Sequence, residues 1–139
     1  MAIFLNNKVG FKLNTVDLSD HVTAFTLNRQ ADQLEVTAMG DTAHKFVSGL
    51  SADTITVSFL NDTAAASVLA TLQAAYGTTV AFSAIQDKVP AVSATNVLYT
   101  GTVLVDNLTD IAGAVADEAM IDITFTCNSK TALATTGTF

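Results

Sequence analysis

The stretch Thr54–Leu60 alternates without a break, with Ile55, Val57 and Phe59 on one side and Thr54, Thr56 and Ser58 on the other. Successive side chains leave a pleated backbone in opposite directions, so a period of two marks a strand with one buried and one solvated face. An α-helix would scatter the same residues around its whole circumference. The period recurs along the chain. Lys8–Asn14 groups Val9, Phe11 and Leu13, and Val22–Asn28 groups Thr23, Phe25 and Leu27. Leu34–Met39 sets Leu34, Val36 and Ala38 against Glu35, Thr37 and Met39. Thr79–Ile85, Val97–Val105 and Ala119–Cys127 bring the count to about seven strands. Gly101, in the middle of Val97–Val105, predicts a bulge or a sharp bend.

One segment follows a different period. After Asn61-Asp62, either of which can cap a helix, Ala65, Val68, Leu69, Leu72 and Tyr76 recur at helical spacing, four further alanines favour helix, and Gly77 supplies a stop. A single helix over about residues 62–76 is expected to plug or flank a sheet. The fold class is therefore mainly β: a β-sandwich or barrel of about seven strands with one flanking α-helix. The 139 residues suit one domain able to bury a core without staples, and there is no internal repeat. Residues 1–7 read as an N-terminal arm, 40–50 as a long inter-strand loop, and 128–139 as a polar C-terminal tail.

That loop has neither period, yet it carries Phe46, Val47 and Leu50 beside Asp41, His44 and Lys45. Apolar residues on a protruding loop point to docking against a partner. The alternative is that they fold back over their own barrel end. Sequence leaves both open.

Chemistry finds little support. Ser19, Asp20 and His21 are adjacent, but a triad is assembled by a fold rather than by adjacency, so turn capping is the reading. Two histidines 23 positions apart and a single cysteine have no metal-ligand spacing. Asp106, Asp110, Asp117 and Glu118 are solvated loop carboxylates without an EF-hand pattern. Cys127, in a strand-like stretch, reads as a small core hydrophobe. Two glycosylation-like sequons, at Asn61 and Asn107, read as cap and turn sequences. No enzyme activity and no cofactor are expected. The 13 acidic against 6 basic residues give a formal charge of −7, with Arg29 the only arginine, which argues against ordinary phosphate clamping. No secretion signal or membrane-spanning run is visible, so synthesis in a cytoplasm is expected.

Several short motifs resemble the major tail tube proteins of long-tailed bacteriophages. They are Val16-Asp17-Leu18-Ser19-Asp20-His21-Val22, Glu35-Val36-Thr37-Ala38-Met39-Gly40-Asp41, Gly49-Leu50, and the Thr54–Leu60 strand followed by Asp62 and the alanine-rich helix. The order of strands and helix is compatible over roughly residues 8–127. The resemblance implies a virion tail protein whose subunits form hexameric rings stacked into a hollow tube. Strands of each subunit would join an inner barrel, with the helix outside or between subunits. Asp41, His44, Lys45, Phe46, Val47 and Leu50, with both terminal arms, would contact neighbouring rings. A tape-measure protein and tail terminator and tip proteins would be partners, and DNA would pass through the lumen to the host without specific binding.

Within that frame the polar faces of the best strands supply lumen candidates: Glu35, Thr37, Thr54, Thr56, Asp122 and Thr124. An acidic wall would let DNA slide, because each bound phosphate acts as a brake. Closing a ring would also remove exposed strand edges. The inner tube of a contractile tail or a bacterial injection system is an alternative. A monomeric ligand-binding β-barrel is a further one, disfavoured by the scarcity of large aromatics, and a surface adhesin or decoration protein fits less well without a signal or exposed aromatics.

Overall fold

A computed structural model describes residues 8–139. The expected N-terminal arm over 1–7 lies outside the described residues. Within them, ten strands and one α-helix follow in order: β1 (Gly10–Leu13), β2 (Val16–Asp17), a 3-10 turn (Ser19–His21), β3 (Val22–Asn28), β4 (Ala31–Glu35), β5 (Phe46–Ser51), β6 (Thr54–Leu60), α1 (Val68–Ala75), β7 (Thr79–Ile85), β8 (Leu98–Leu104), β9 (Met120–Cys127) and β10 (Ala132–Ala134). The mainly β class with one helix is as the alternation predicts. The strand count is higher because the short strands β2 and β10 and the solvated β5 add to it.

All pairings among the described strands are antiparallel. The main sheet runs β2-β1-β7-β8-β9-β6-β3, with β10 also on β8, while among the described residues β4 and β5 pair only with each other. The joint between its halves is short: β9 pairs with β6 from Met120 to Thr126 but meets β8 only at Val103–Cys127 and Leu104–Thr126. Beyond it the chain stays beside β8, with the Asn128 N–H donating to the Thr102 carbonyl and β10 pairing Ala132–Ala134 with Thr100–Leu98. β9 and β10 thus form one strand that bends from one half-sheet to the other, the usual way a sandwich turns a corner. Within the polar C-terminal segment, Ala132–Ala134 is thus part of the sheet.

The two halves face each other across the core. Phe11 of β1 lies 5.1 Å from Phe25 of β3 and 6.1 Å from Phe59 of β6, between ring centroids. Ile55, Val57 and Phe59 are fully buried, as are Leu13, Val103 and Phe125, and the helix adds Val68, Leu72 and Ala75. On β3 the expected inward set is corrected at one position. A register shift between Val22 and Ala24 puts Val22, not Thr23, on the core side, and Thr23 instead donates its hydroxyl to the Ser58 carbonyl at 3.2 Å. Gly101 makes neither bulge nor bend, since β7–β8 pairing runs through it in register. A Cβ there would sit 2.9 Å from the Phe82 ring, so the position is one of close packing.

The helix is shorter than its alanine content predicts. It starts at Val68 with Ser67 as its N-cap, and Ala66 just before it takes φ +60°, a left-handed conformation that helix residues do not adopt. Asp62 holds the preceding turn: its carboxylate accepts from the Ala64 N–H (2.9 Å) and its carbonyl from the Leu69 N–H (3.2 Å). A capped turn thus overrides alanine propensity. Tyr76, expected on the apolar face, is the C-terminal cap and is exposed.

The β1–β2 connection contains only Asn14 and Thr15, at φ +51° and +67°. Two positive φ values in a two-residue hairpin loop suit Asn-Gly, and a β-branched residue is strained at the second site. Thr15→Gly is expected to raise stability by about 0.5–1 kcal/mol. Thermal denaturation checks it; no rise in midpoint means that the turn relaxes its φ at no cost.

Candidate functional site

The residues expected to form an apolar loop lie on a hairpin that stands off the main sheet. β5 starts at Phe46, so half of the supposed loop is strand, and its partner β4 covers Ala31–Glu35 rather than Leu34–Met39. The register places Leu34 opposite Val47, Glu35 opposite Phe46 and Gln33 opposite Ser48. The Val36 N–H continues the ladder to the Lys45 carbonyl at 2.8 Å.

The end of the hairpin is tightly built. Ala38 and Asp41 close a turn in which Gly40 takes φ +94°, with the Asp41 N–H donating to the Ala38 carbonyl (3.1 Å) and the Ala38 N–H to the Asp41 carboxylate (2.8 Å). Lys45 Nζ lies 2.7 Å from the other oxygen of Asp41. The Lys45 ammonium and the Ala38 N–H hold the Asp41 carboxyl below the usual carboxylate range. On one face Glu35 meets His44 and accepts from the Thr37 hydroxyl at 3.0 Å, and the His44 ring lies near Phe46. The other face carries Leu34 and Val47. Phe46 is 50% exposed, Val47 47% and Leu50 81%, and Met39 at the turn is wholly exposed. They do not fold back over the barrel end.

Both faces of this hairpin are solvated, and among the described residues neither of its outer edges has a partner strand. An isolated two-stranded hairpin is marginal in water, and unpaired edges are templates for another chain. The outer edge of β3, seven residues long, is likewise unpaired among the described residues and leads into β4.

The lumen candidates divide in two. Thr54, Thr56, Asp122 and Thr124 share the solvated face of β6 and β9: Thr56 is opposite Thr124, and Asp122 is opposite Ser58. Thr26 and Thr126 belong to the same row, a continuation that only the pairing reveals. Glu35 and Thr37 are not there; they are on the hairpin.

A further residue, which no motif marks, joins the hairpin to the body. Asp53 is buried between β5 and β6. Its carboxylate accepts from the Gln30 N–H (3.1 Å), between β3 and β4, and from the Thr131 N–H (2.9 Å), before β10. Burial acts to raise its pKa, but the Thr131 and Gln30 hydrogen bonds and the Arg29 charge outweigh it and hold the carboxyl below the ordinary range. Burial, with the Asp53 charge nearby, pushes the Cys127 thiol up to about 11, so this cysteine is a packing residue rather than a nucleophile.

The three adjacent catalytic types are used structurally. Ser19 Oγ accepts from the Phe11 N–H at 2.9 Å, while His21 Nε2 lies 2.9 Å from Asp62, tying the 3-10 turn to the segment before the helix. Lys88 pairs with Asp20 at 3.1 Å. Asp110 accepts from Gln73 (3.1 Å), and among the described residues no group of three or more His, Cys, Asp or Glu side chains could hold a metal. No helix among the described residues is long and apolar enough to cross a membrane. A cavity of about 250 Å3, lined by Phe25, Leu27 and Tyr99 among others, opens between β3 and the opposite half-sheet.

This architecture is shared with a chain of the virion of a native gene transfer agent particle. The two superpose with a TM-score of 0.71 over 95% of this chain and 99% of the other, at 13% identity. The fold is thus shared with a chain of that particle. A chain in the tail of an empty gene transfer agent particle, a tail with C6 symmetry, matches with a TM-score of 0.60 at 14% identity, covering 82% of each chain. No protein-family model matches the chain, and no curated protein matches it in sequence.

Proposed function

We propose that this chain is a structural subunit of a tail tube, acting in a virion tail by self-association into hexameric rings that stack into a hollow conduit for DNA. The observation that carries the reading is the β4–β5 hairpin, an apolar-studded, edge-exposed element on a fold shared with a component of a C6-symmetric tail. Rings account for the features a monomer leaves unresolved: edges of β3, β4 and β5 find partners in adjacent copies, and Phe46, Val47 and Leu50 become buried. Asp41, His44 and Lys45 set the shape of the hairpin end and so act in the same contact. The acidic, arginine-poor composition suits a wall that DNA slides along. The Thr54–Thr56–Asp122–Thr124 face is the candidate lining, with Glu35 and Thr37 extending it only if the hairpin aligns with that face. A tape-measure protein and terminator and tip proteins complete the set of partners. The inner tube of a contractile tail or an injection system would use the same surfaces and is the second reading; the scarcity of large aromatics disfavours a ligand-binding barrel.

Negative-stain microscopy of concentrated protein tests this directly. The expected result is rings or filaments with six-fold symmetry, and a reconstruction should place Thr56 and Thr124 on the bore. A protein that stays monomeric at high concentration rejects the tube; filaments with those threonines on the outer wall reject the lining alone.

A further inference from the structure

The geometry points to Asp53 as a clamp through which the C-terminal strand sets the orientation of the docking hairpin. The inference rests on the tube reading for its consequence, but the coupling itself is a property of one chain.

β3 and β4 are nearly continuous, separated by Arg29 and Gln30, and β5 and β6 are separated by Ala52 and Asp53. Together they form one long ribbon with a neck at those four residues. Three features tie the neck down. The Ala52 N–H donates to the Gln30 carbonyl at 2.6 Å, across the ribbon itself. The Asp53 carbonyl accepts from the Cys127 N–H at 3.0 Å, fixing the neck to the corner strand. The Asp53 carboxylate then splits its two oxygens, Oδ1 to Gln30 and Oδ2 to Thr131. The two donors are 23 and 78 residues away in sequence. One buried side chain thus grips the hairpin side and the C-terminal side of the neck at the same time.

The C-terminal side is itself anchored. Ser129 Oγ accepts from the Thr102 N–H (3.0 Å), the Asn128 side-chain amide donates to the Thr79 hydroxyl (2.8 Å), and β10 pairs with β8. A rotation of the hairpin at its neck must break the Gln30 hydrogen bond to a buried carboxylate, an expensive event because one charged oxygen is left without its donor. Hairpin angle decides whether the β3–β4 and β5 edges present themselves to a neighbour in register, so a loose neck spreads subunits over orientations of which few can bind. Asp53 is a positioning residue, not a contact.

Asp53→Asn tests the coupling, since an amide keeps the size but presents an N–H where a carboxylate oxygen accepted one. Amide exchange of the unassembled protein, followed by mass spectrometry, is expected to speed up about tenfold or more in both 31–51 and 128–134 while β7 is unchanged, in line with the loss of a hydrogen bond to a charged group. The concentration needed for assembly should rise with it. Faster exchange in only one of the two segments, or in neither, overturns the clamp. If Asp53→Asn does not fold, Thr131→Pro removes one donor and keeps the carboxylate; unchanged exchange over 31–51 then overturns it. Should the unaltered protein form no rings, the tube reading fails, and the exchange result still decides the clamp.

Discussion

Phe46→Ser combined with Val47→Ser is expected to yield a folded subunit that no longer polymerises. The two side chains are adjacent on β5 and so lie on opposite faces of the hairpin, each about half exposed in the free chain. Removing them costs the isolated subunit less than about 1 kcal/mol, as for other surface changes. Association loses far more. Burying the exposed half of each side chain contributes about 1 kcal/mol, so the pair is worth about 2 kcal/mol per contact, or a roughly thirtyfold rise in the concentration needed for assembly. Stacked rings repeat the contact in every subunit and sharpen the loss. Circular dichroism with sedimentation velocity measures both halves of the prediction. If the variant unfolds, the hairpin belongs to the core; if it assembles normally, the docking surface lies elsewhere. The single substitutions then tell which hairpin face is covered, because Val47 shares its face with Leu34 and Phe46 shares its face with Glu35.

Phe11→Ala should have the largest effect on folding. Phe11 is fully buried and its ring bridges β3 and β6 from the opposite half-sheet, at 5.1 Å from Phe25 and 6.1 Å from Phe59. Its removal leaves a cavity at the centre of the sandwich, where a Phe-to-Ala change typically costs about 3–5 kcal/mol. That is a large share of the roughly 5–15 kcal/mol that stabilises an ordinary domain. Chemical denaturation should show a midpoint shift with little change in slope. A loss below about 1 kcal/mol would mean that the half-sheets close over the gap, and that the core is less tightly interlocked than the ring contacts indicate.

The faces of β6, β7 and β9 were legible because each strand is buried on one side and solvated on the other, so its composition alternates. β5 was not, for the same physical reason in reverse. A hairpin solvated on both faces has no alternation to read, and Phe46–Ser51 passes for an irregular loop. The helix was legible in kind but not in length: alanine content is a local preference, whereas Ala66 takes a left-handed conformation inside a turn held by Asp62. The C-terminal segment looked like a polar tail because β10 is short and largely exposed, its order coming from β8 rather than from its own residues.

By itself the sequence determined the mainly β class, the inward residues of most strands, and the absence of any motif with catalytic spacing. These follow from side-chain direction on a pleated backbone, which is local and periodic. Only the tertiary structure decided that the apolar loop is a hairpin with edges open among the described residues, that the Thr-rich lumen candidates separate from Glu35 and Thr37, and that Asp53 joins three distant segments. Such facts depend on which strands lie side by side and which N–H groups meet one buried carboxylate, and a partner 78 residues away leaves no period in the chain.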